Sequence, residues 1–146
     1  MLSKTLPEKK VKHKAMRNQY LREATVMLAL ARLAVRLAPA SRILGWARRP
    51  PRRVRRFSMG DVGWIRWSIE EIAPKPWMNA ACLPRALAAQ AMLRRRGIAS
   101  TLCLGVAREN QELSAHAWLE LGQAIVVGGD QAPLFSRLVE FGGARA

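Results

Sequence analysis

The chain has 146 residues, enough for one domain with a real hydrophobic core and too few for two of full size. Half the residues are apolar and 24% are charged, which excludes a disordered chain, and two cysteines do not make a disulfide framework. The net charge of +15 is lopsided: residues 1–60 hold 16 Lys and Arg against two Glu, and residues 61–146 hold nine against eight acids, so the surface that attracts anions lies apart from the near-neutral half.

Residues 1–18 are polar and Lys-rich and read as a mobile basic tail, with no apolar run to make a signal peptide. Residues 19–146 read as one domain, a basic helical part over 19–75 followed by a core over 76–146. Residues 19–38 are good helix formers ending at Pro39, and Leu21, Met27 or Leu28, Ala31, Val35 and Ala38 recur at helical steps. Leu30, Leu33 and Leu37 widen that stripe, which predicts burial on more than one side. Arg32 and Arg36 interrupt the segment, so it is too short and too charged to span a bilayer, although it could lie on a membrane surface.

A short helix over 41–47 follows, capped by Ser41. RRPPRRVRR (48–56), with six arginines and two prolines, reads as an exposed basic loop. A helix over 59–72 uses Val62, Ile65 and Ile72, with Asp61 near its start, and Pro74 and Pro76 stop it. The next helix has Asn79 as its N-cap, runs from Ala80 to Arg96, tolerates Pro84 in its first turns and ends at Gly97. Alternation predicts strands over 100–108 and 114–121, with Gly122-Gln123 turning the chain into AIVV (124–127). PLFSRLVEF (133–141) reads as a short closing helix or an extended arm, and the terminal GGARA as frayed.

This order sets Cys82 at a helix start and His116, 34 residues later, on a strand. Free backbone N–H groups at a helix start favour negative charge on sulfur, and a nearby imidazole can take the thiol proton. The same pattern also fits a buried cysteine near a satisfied histidine. His13 lies in the tail, which leaves His116 as the internal histidine. The strand period places His116, Trp118 and Glu120 on one face, and Ala117, Leu119 and Leu121 on the other. Glu120 stands two pleats from His116, roughly 13 Å along an extended strand, too far to orient its ring. Asp130, returning beyond the hairpin, is the better placed third member.

The Cys82 N–H is the natural oxyanion donor, with Asn79 or Trp77 as a second contributor unless Asn79 serves only as a cap. Trp118 either shields the site from water or is core, and Cys103 reads as a small buried hydrophobe. Cys82, Cys103, His116 and an acid lack metal-ligand spacing, so no metal is expected. No phosphate-binding or dinucleotide motif is present and no cofactor is expected.

CLPRALAAQAMLRRRGI (82–98), LCLGVAR (102–108), AHAWLELG (115–122) and LALARLAVRLAP (28–39) together resemble the lasso-peptide leader peptidases, transglutaminase-like cysteine proteases. The resemblance covers roughly residues 20–130 and implies an α+β, papain-like or transglutaminase-like core with N-terminal helices and a small antiparallel sheet. It implies Cys82 as nucleophile and His116 as base, cutting a precursor peptide after a threonine near the end of its leader. It further implies the split form of the family, which works with a separate leader-binding protein and hands the core peptide to an ATP-dependent cyclase. One departure stands out: the family's aspartate about a dozen residues past the histidine falls on Gly128, so Asp130 serves instead or the site works as a dyad. Arg85, one turn after Cys82, has no settled role and either contacts substrate or is surface.

The chain is expected in the cytoplasm, with a peripheral membrane contact left open. The arginines cluster around prolines and are not interleaved with aromatic residues, so nucleic acid is not an expected partner. The other readings are a noncatalytic scaffold that kept the fold, a nucleic-acid or membrane-surface module, and a transferase passing the acyl group to an amine.

Overall fold

A computed structural model describes residues 5–142, with residues 5–9 described by backbone alone. Four helices come first, α1 (Thr5–Leu37), α2 (Ala40–Arg48), α3 (Met59–Ile72) and α4 (Cys82–Arg95). Four strands follow, β1 (Thr101–Glu109), β2 (Glu112–Leu121), β3 (Ala124–Val127) and β4 (Ser136–Gly142), with a single 3-10 turn at Ala132–Leu134 before β4. The fold is α+β, a helical layer against an antiparallel sheet of order β3-β2-β1-β4.

α4 is the centre of the packing. Ala86, Ala88, Ala89, Met92 and Leu93 are fully or almost fully buried, and the helix touches α1, α3 and the first three strands. Small residues let its backbone sit close to the sheet, where Ala117 and Leu119 form the facing surface. Gly97 ends it at φ +74, with Ile98 N–H donating to Leu93 O (3.0 Å) and Gly97 N–H to Arg94 O (3.0 Å). That paired closure satisfies two orphan carbonyls, as the glycine predicts. No Cβ fits there, because it would clash with the Arg53 carbonyl oxygen. The basic loop is thereby pinned over the end of α4, and Arg55 N–H donates to Gly97 O (3.1 Å).

Two expectations for α1 are corrected. The helix reaches back to Thr5, so residues 5–18 are not a tail without structure, and residues 1–4 lie outside the described part. Lys-rich sequence has good helix propensity, and His13 sets its ring edge against Trp64 at 5.0 Å. The second correction concerns burial. Tyr20, Ala24, Leu28 and Ala31 form the one buried stripe, while Leu30, Leu33 and Leu37 are 54%, 53% and 75% exposed. The stripe is fastened at Glu23, which accepts from Arg96 Nη1 (2.9 Å) and Nη2 (2.6 Å), and at Tyr20, whose hydroxyl donates to Asp61 Oδ1 (3.0 Å).

PLFSRLVEF divides into the 3-10 turn and an edge strand: β4 pairs with β1, and Phe141 enters the core opposite Leu102. Among the described residues no helix is long and apolar enough to cross a membrane.

Candidate active site

The site lies where β2 loses its neighbour. β3 pairs with β2 only over Leu119–Leu121, so the edge of β2 at Ala115–Ala117 is left open on that side. A cleft of about 630 Å³ runs along this edge, and Cys82, Arg85, His116, Gly128 and Asp130 are among the residues lining it. α3 contributes Arg66, Ile69 and Glu70. The start of α4 and the middle of β2 thus meet at one cleft, although α4 packs on the Ala117 face and His116 points to the Trp118 face.

Cys82 is the first residue of α4 and is partly exposed. Arg85 N–H is the first to find a helical acceptor, Ala81 O at 3.2 Å. Pro84 has no N–H, so Cys82 and Leu83 supply the helical donors beside the thiol that lack a helical acceptor. Asn79 does not cap the helix. The N-cap is Ala81, without a side-chain hydrogen bond, while Asn79 takes φ +41 in the preceding turn, where its N–H donates to Lys75 O (2.7 Å). Asn tolerates that left-handed geometry better than most residues, which accounts for it there. Arg85 steadies the same turn, its Nε donating to Ala80 O (2.6 Å).

His116 is buried, at 8% exposure, against two aromatic rings, Trp118 (stacked, 6.0 Å) and Phe135 (tilted, 5.1 Å). Its Nε2 lies 3.0 Å from Gly128 O. A carbonyl oxygen only accepts, so Nε2 carries the proton and Nδ1 is left as the basic nitrogen. Gly128 has φ +84, and a Cβ there would stand 2.9 Å from Trp118 Cβ and 3.2 Å from His116 Nε2. No side chain fits at this position. The acceptor that holds the imidazole is backbone.

A family model described as the transglutaminase-like superfamily matches residues 24–140. The chain belongs to that superfamily. It includes cysteine peptidases. Searches of curated proteins and of solved structures find no match to the chain.

Within this transglutaminase-like domain the structure brings Cys82, His116, Asp130 and Arg85 to one cleft, while Asn79 and Trp77 are exposed and not among its lining residues. No hydrogen bond joins Cys82 to His116, and Asp130 makes none to the imidazole. Trp118 and Glu120 share the His116 face as the strand period requires. The indole N–H donates to Glu120 Oε1 (2.9 Å), and Arg137 pairs with both Glu120 and Glu140. Glu120 therefore steadies the tryptophan that stacks on His116 and does not reach the imidazole itself.

Cys103 lies on the Trp118 face, fully buried with Trp118 and Ala132. Burial, chiefly, and the nearby Glu120 carboxylate push its thiol up to about 12. Sequence reading missed Arg66, Glu70, Phe135 and the Gly128 carbonyl. Arg66 and Glu70 carried only the signature of an exposed i,i+4 ion pair, which they do form at 3.0 Å. Among the described residues no group of three or more His, Cys, Asp and Glu is arranged to hold a metal ion.

Proposed function

We propose that the protein is a cysteine endopeptidase that cuts the leader from a ribosomally made lasso-peptide precursor. The observation that carries the reading is the shared cleft of Cys82 and His116, with the imidazole held by Gly128 O in the tautomer a base needs. The segments CLPRALAAQAMLRRRGI and AHAWLELG support the leader-peptidase assignment within the superfamily.

In this mechanism His116 Nδ1 takes the Cys82 proton and the thiolate adds to the scissile carbonyl. The N–H groups of Cys82 and Leu83 receive the oxyanion. His116 then gives its proton to the departing core-peptide amine, which leaves a thioester between Cys82 and the leader. Water, deprotonated by the same imidazole, hydrolyses the thioester and restores the thiol. Thiol and imidazole first have to come within hydrogen-bond reach, roughly 3 Å, a contact that commonly tightens when substrate binds. A cleft along a strand edge suits a chain that passes through it, as an internal cut demands. A separate leader-binding protein presents the precursor in this scheme, and an ATP-dependent cyclase takes the released core.

The test is mass spectrometry of a linear precursor incubated with the protein and its leader-binding partner, beside a Cys82→Ala control. A single cut after a threonine near the leader's end, absent in the control, is expected. An intact precursor, with the partner shown to hold the leader, overturns the reading.

A further inference from the structure

The exposed apolar side of α1 is patterned. Val26, Leu30, Leu33 and Leu37 follow one another at steps of four, three and four residues and are 53%, 54%, 53% and 75% exposed. That spacing is the seam by which one helix packs along another. Beside the ridge runs an apolar groove of about 330 Å³, floored by Met27, Ala31, Ala34, Leu87 and Ala91 and closed on the far side by Trp46. It continues into a cleft of about 700 Å³ through three shared residues, Met27, Trp46 and Ala91. Arg49, Arg52, Arg53 and Arg55 line this second cleft. None of these four has an acidic partner among the described residues. Arg94, by contrast, is engaged within the fold, donating to Trp46 O (2.9 Å) and lying 4.0 Å over the Trp46 ring.

We propose that this trough is the docking site for an amphipathic helix of a partner protein, one with an apolar stripe flanked by acidic residues. The charge selects the occupant. A second copy of a chain of net charge +15 would bring arginine against arginine. An acidic helix meets the four unpaired guanidinium groups. Shape argues against a lipid surface: a bilayer would meet the ridge of Leu33 and Leu37 but leave the groove floor uncovered, whereas a helix seats against both. Ala91 is nine residues beyond Cys82 on α4, half a turn round the helix, so a partner seated here leaves the catalytic cleft free. The inference does not depend on the chemistry at Cys82.

The test uses two labelled synthetic helices of about 20 residues, roughly 30 Å long. Both carry leucine at the seam positions, and their flanks are glutamate in one and lysine in the other. Fluorescence anisotropy is expected to show binding of the glutamate helix, and binding of the lysine helix weaker by at least about tenfold. Leu30→Gln with Leu33→Gln, which removes the apolar seam without adding charge, and separately Arg53→Glu with Arg55→Glu, are each expected to weaken the glutamate helix by about tenfold or more. All four changes are at exposed side chains, and circular dichroism checks that the variants fold.

Anionic and zwitterionic phosphatidylcholine-based vesicles form the second arm. Vesicle binding is expected to be electrostatic and indifferent to the leucine pair. Equal affinity for the two helices, no binding of either, or loss of anionic-vesicle binding in the leucine variant overturns the proposal. Self-association abolished by the leucine variant overturns it in favour of a second copy.

Discussion

His116 is oriented by Gly128: the imidazole Nε2–H donates to a main-chain carbonyl at 3.0 Å, not to a carboxylate side chain. Space enforces the glycine at this position. A backbone at φ +84 with Trp118 Cβ and Ala117 O within about 3.0 Å of the missing Cβ admits glycine alone. An aspartate at 128 has nowhere to go, so the protein obtains the fixed tautomer from the peptide group and forgoes the negative charge.

The first prediction separates Gly128 from Asp130. Gly128→Ala combines a left-handed strain with a steric clash and is expected to cost about 2–4 kcal/mol of stability and to abolish cleavage. Asp130, exposed and without a hydrogen bond to the ring, is expected to be dispensable: Asp130→Asn should keep cleavage within about threefold of wild type. A loss of about a hundredfold or more in Asp130→Asn, with the fold intact, would make Asp130 the third catalytic member and reduce Gly128 O to a support.

The second prediction concerns the two thiols. Cys82 is partly exposed at the cleft, and Cys103 is fully buried with its thiol pushed up to about 12. Iodoacetamide near neutral pH is expected to modify the folded protein once, at Cys82, and to reach Cys103 only in denaturant. Peptide mapping checks the site. Modification of Cys103 first would mean that the Trp118 face opens readily.

How much of this was legible in the sequence depends on what carried the signal. Cys82 and His116 are legible as a pair because a glycine-terminated helix and a period of two fix their mounts, and both mounts are present. The Trp118 and Glu120 face followed from the same period. The orienting group was not legible, because a carbonyl oxygen belongs to every residue and is picked out only by the turn that aims it. The start of α1 is not legible from polarity, which marks exposure to solvent and not mobility: lysine-rich sequence forms helix well. Leu30 and Leu33 read as interior because an apolar side chain records that a surface wants covering, not which molecule covers it. Asn79 reads as a cap on residue type, yet the chain uses it two positions before the N-cap, for its tolerance of positive φ.

A third prediction follows the hydrogen bond from the Trp118 indole to Glu120. Trp118 is 3% exposed, so removing the acceptor leaves a buried donor unpaired. Glu120→Ala is expected to lower stability by about 1–3 kcal/mol, and Glu120→Gln, which keeps an acceptor oxygen, to recover most of it. Urea titration measures both. Cleavage by Glu120→Ala should fall as the stacked ring beside His116 loosens; equal stability of the two variants would show that the lost Arg137 ion pair, and not the indole hydrogen bond, accounts for the cost.

The last prediction is a pH dependence. The Cys103 thiol titrates at about 12 when folded against 9.0 for an ordinary thiol, chiefly because burial disfavours the thiolate. Between those values the unfolded chain has lost a proton that the folded chain retains, so raising the pH draws the protein toward unfolding. The stability from this group is complete below 9.0 and is lost as the pH rises toward about 12. The Tyr20 hydroxyl, also raised above its ordinary value, mainly by burial, acts in the same direction. Denaturant midpoints taken across the alkaline range are expected to fall steadily in the wild type. Cys103→Ala should begin lower, because it leaves a small void, but decline less steeply, since the Cys103 contribution is gone while that of Tyr20 remains. Parallel curves for the two proteins would show that Cys103 is not the group whose ionisation opens the fold.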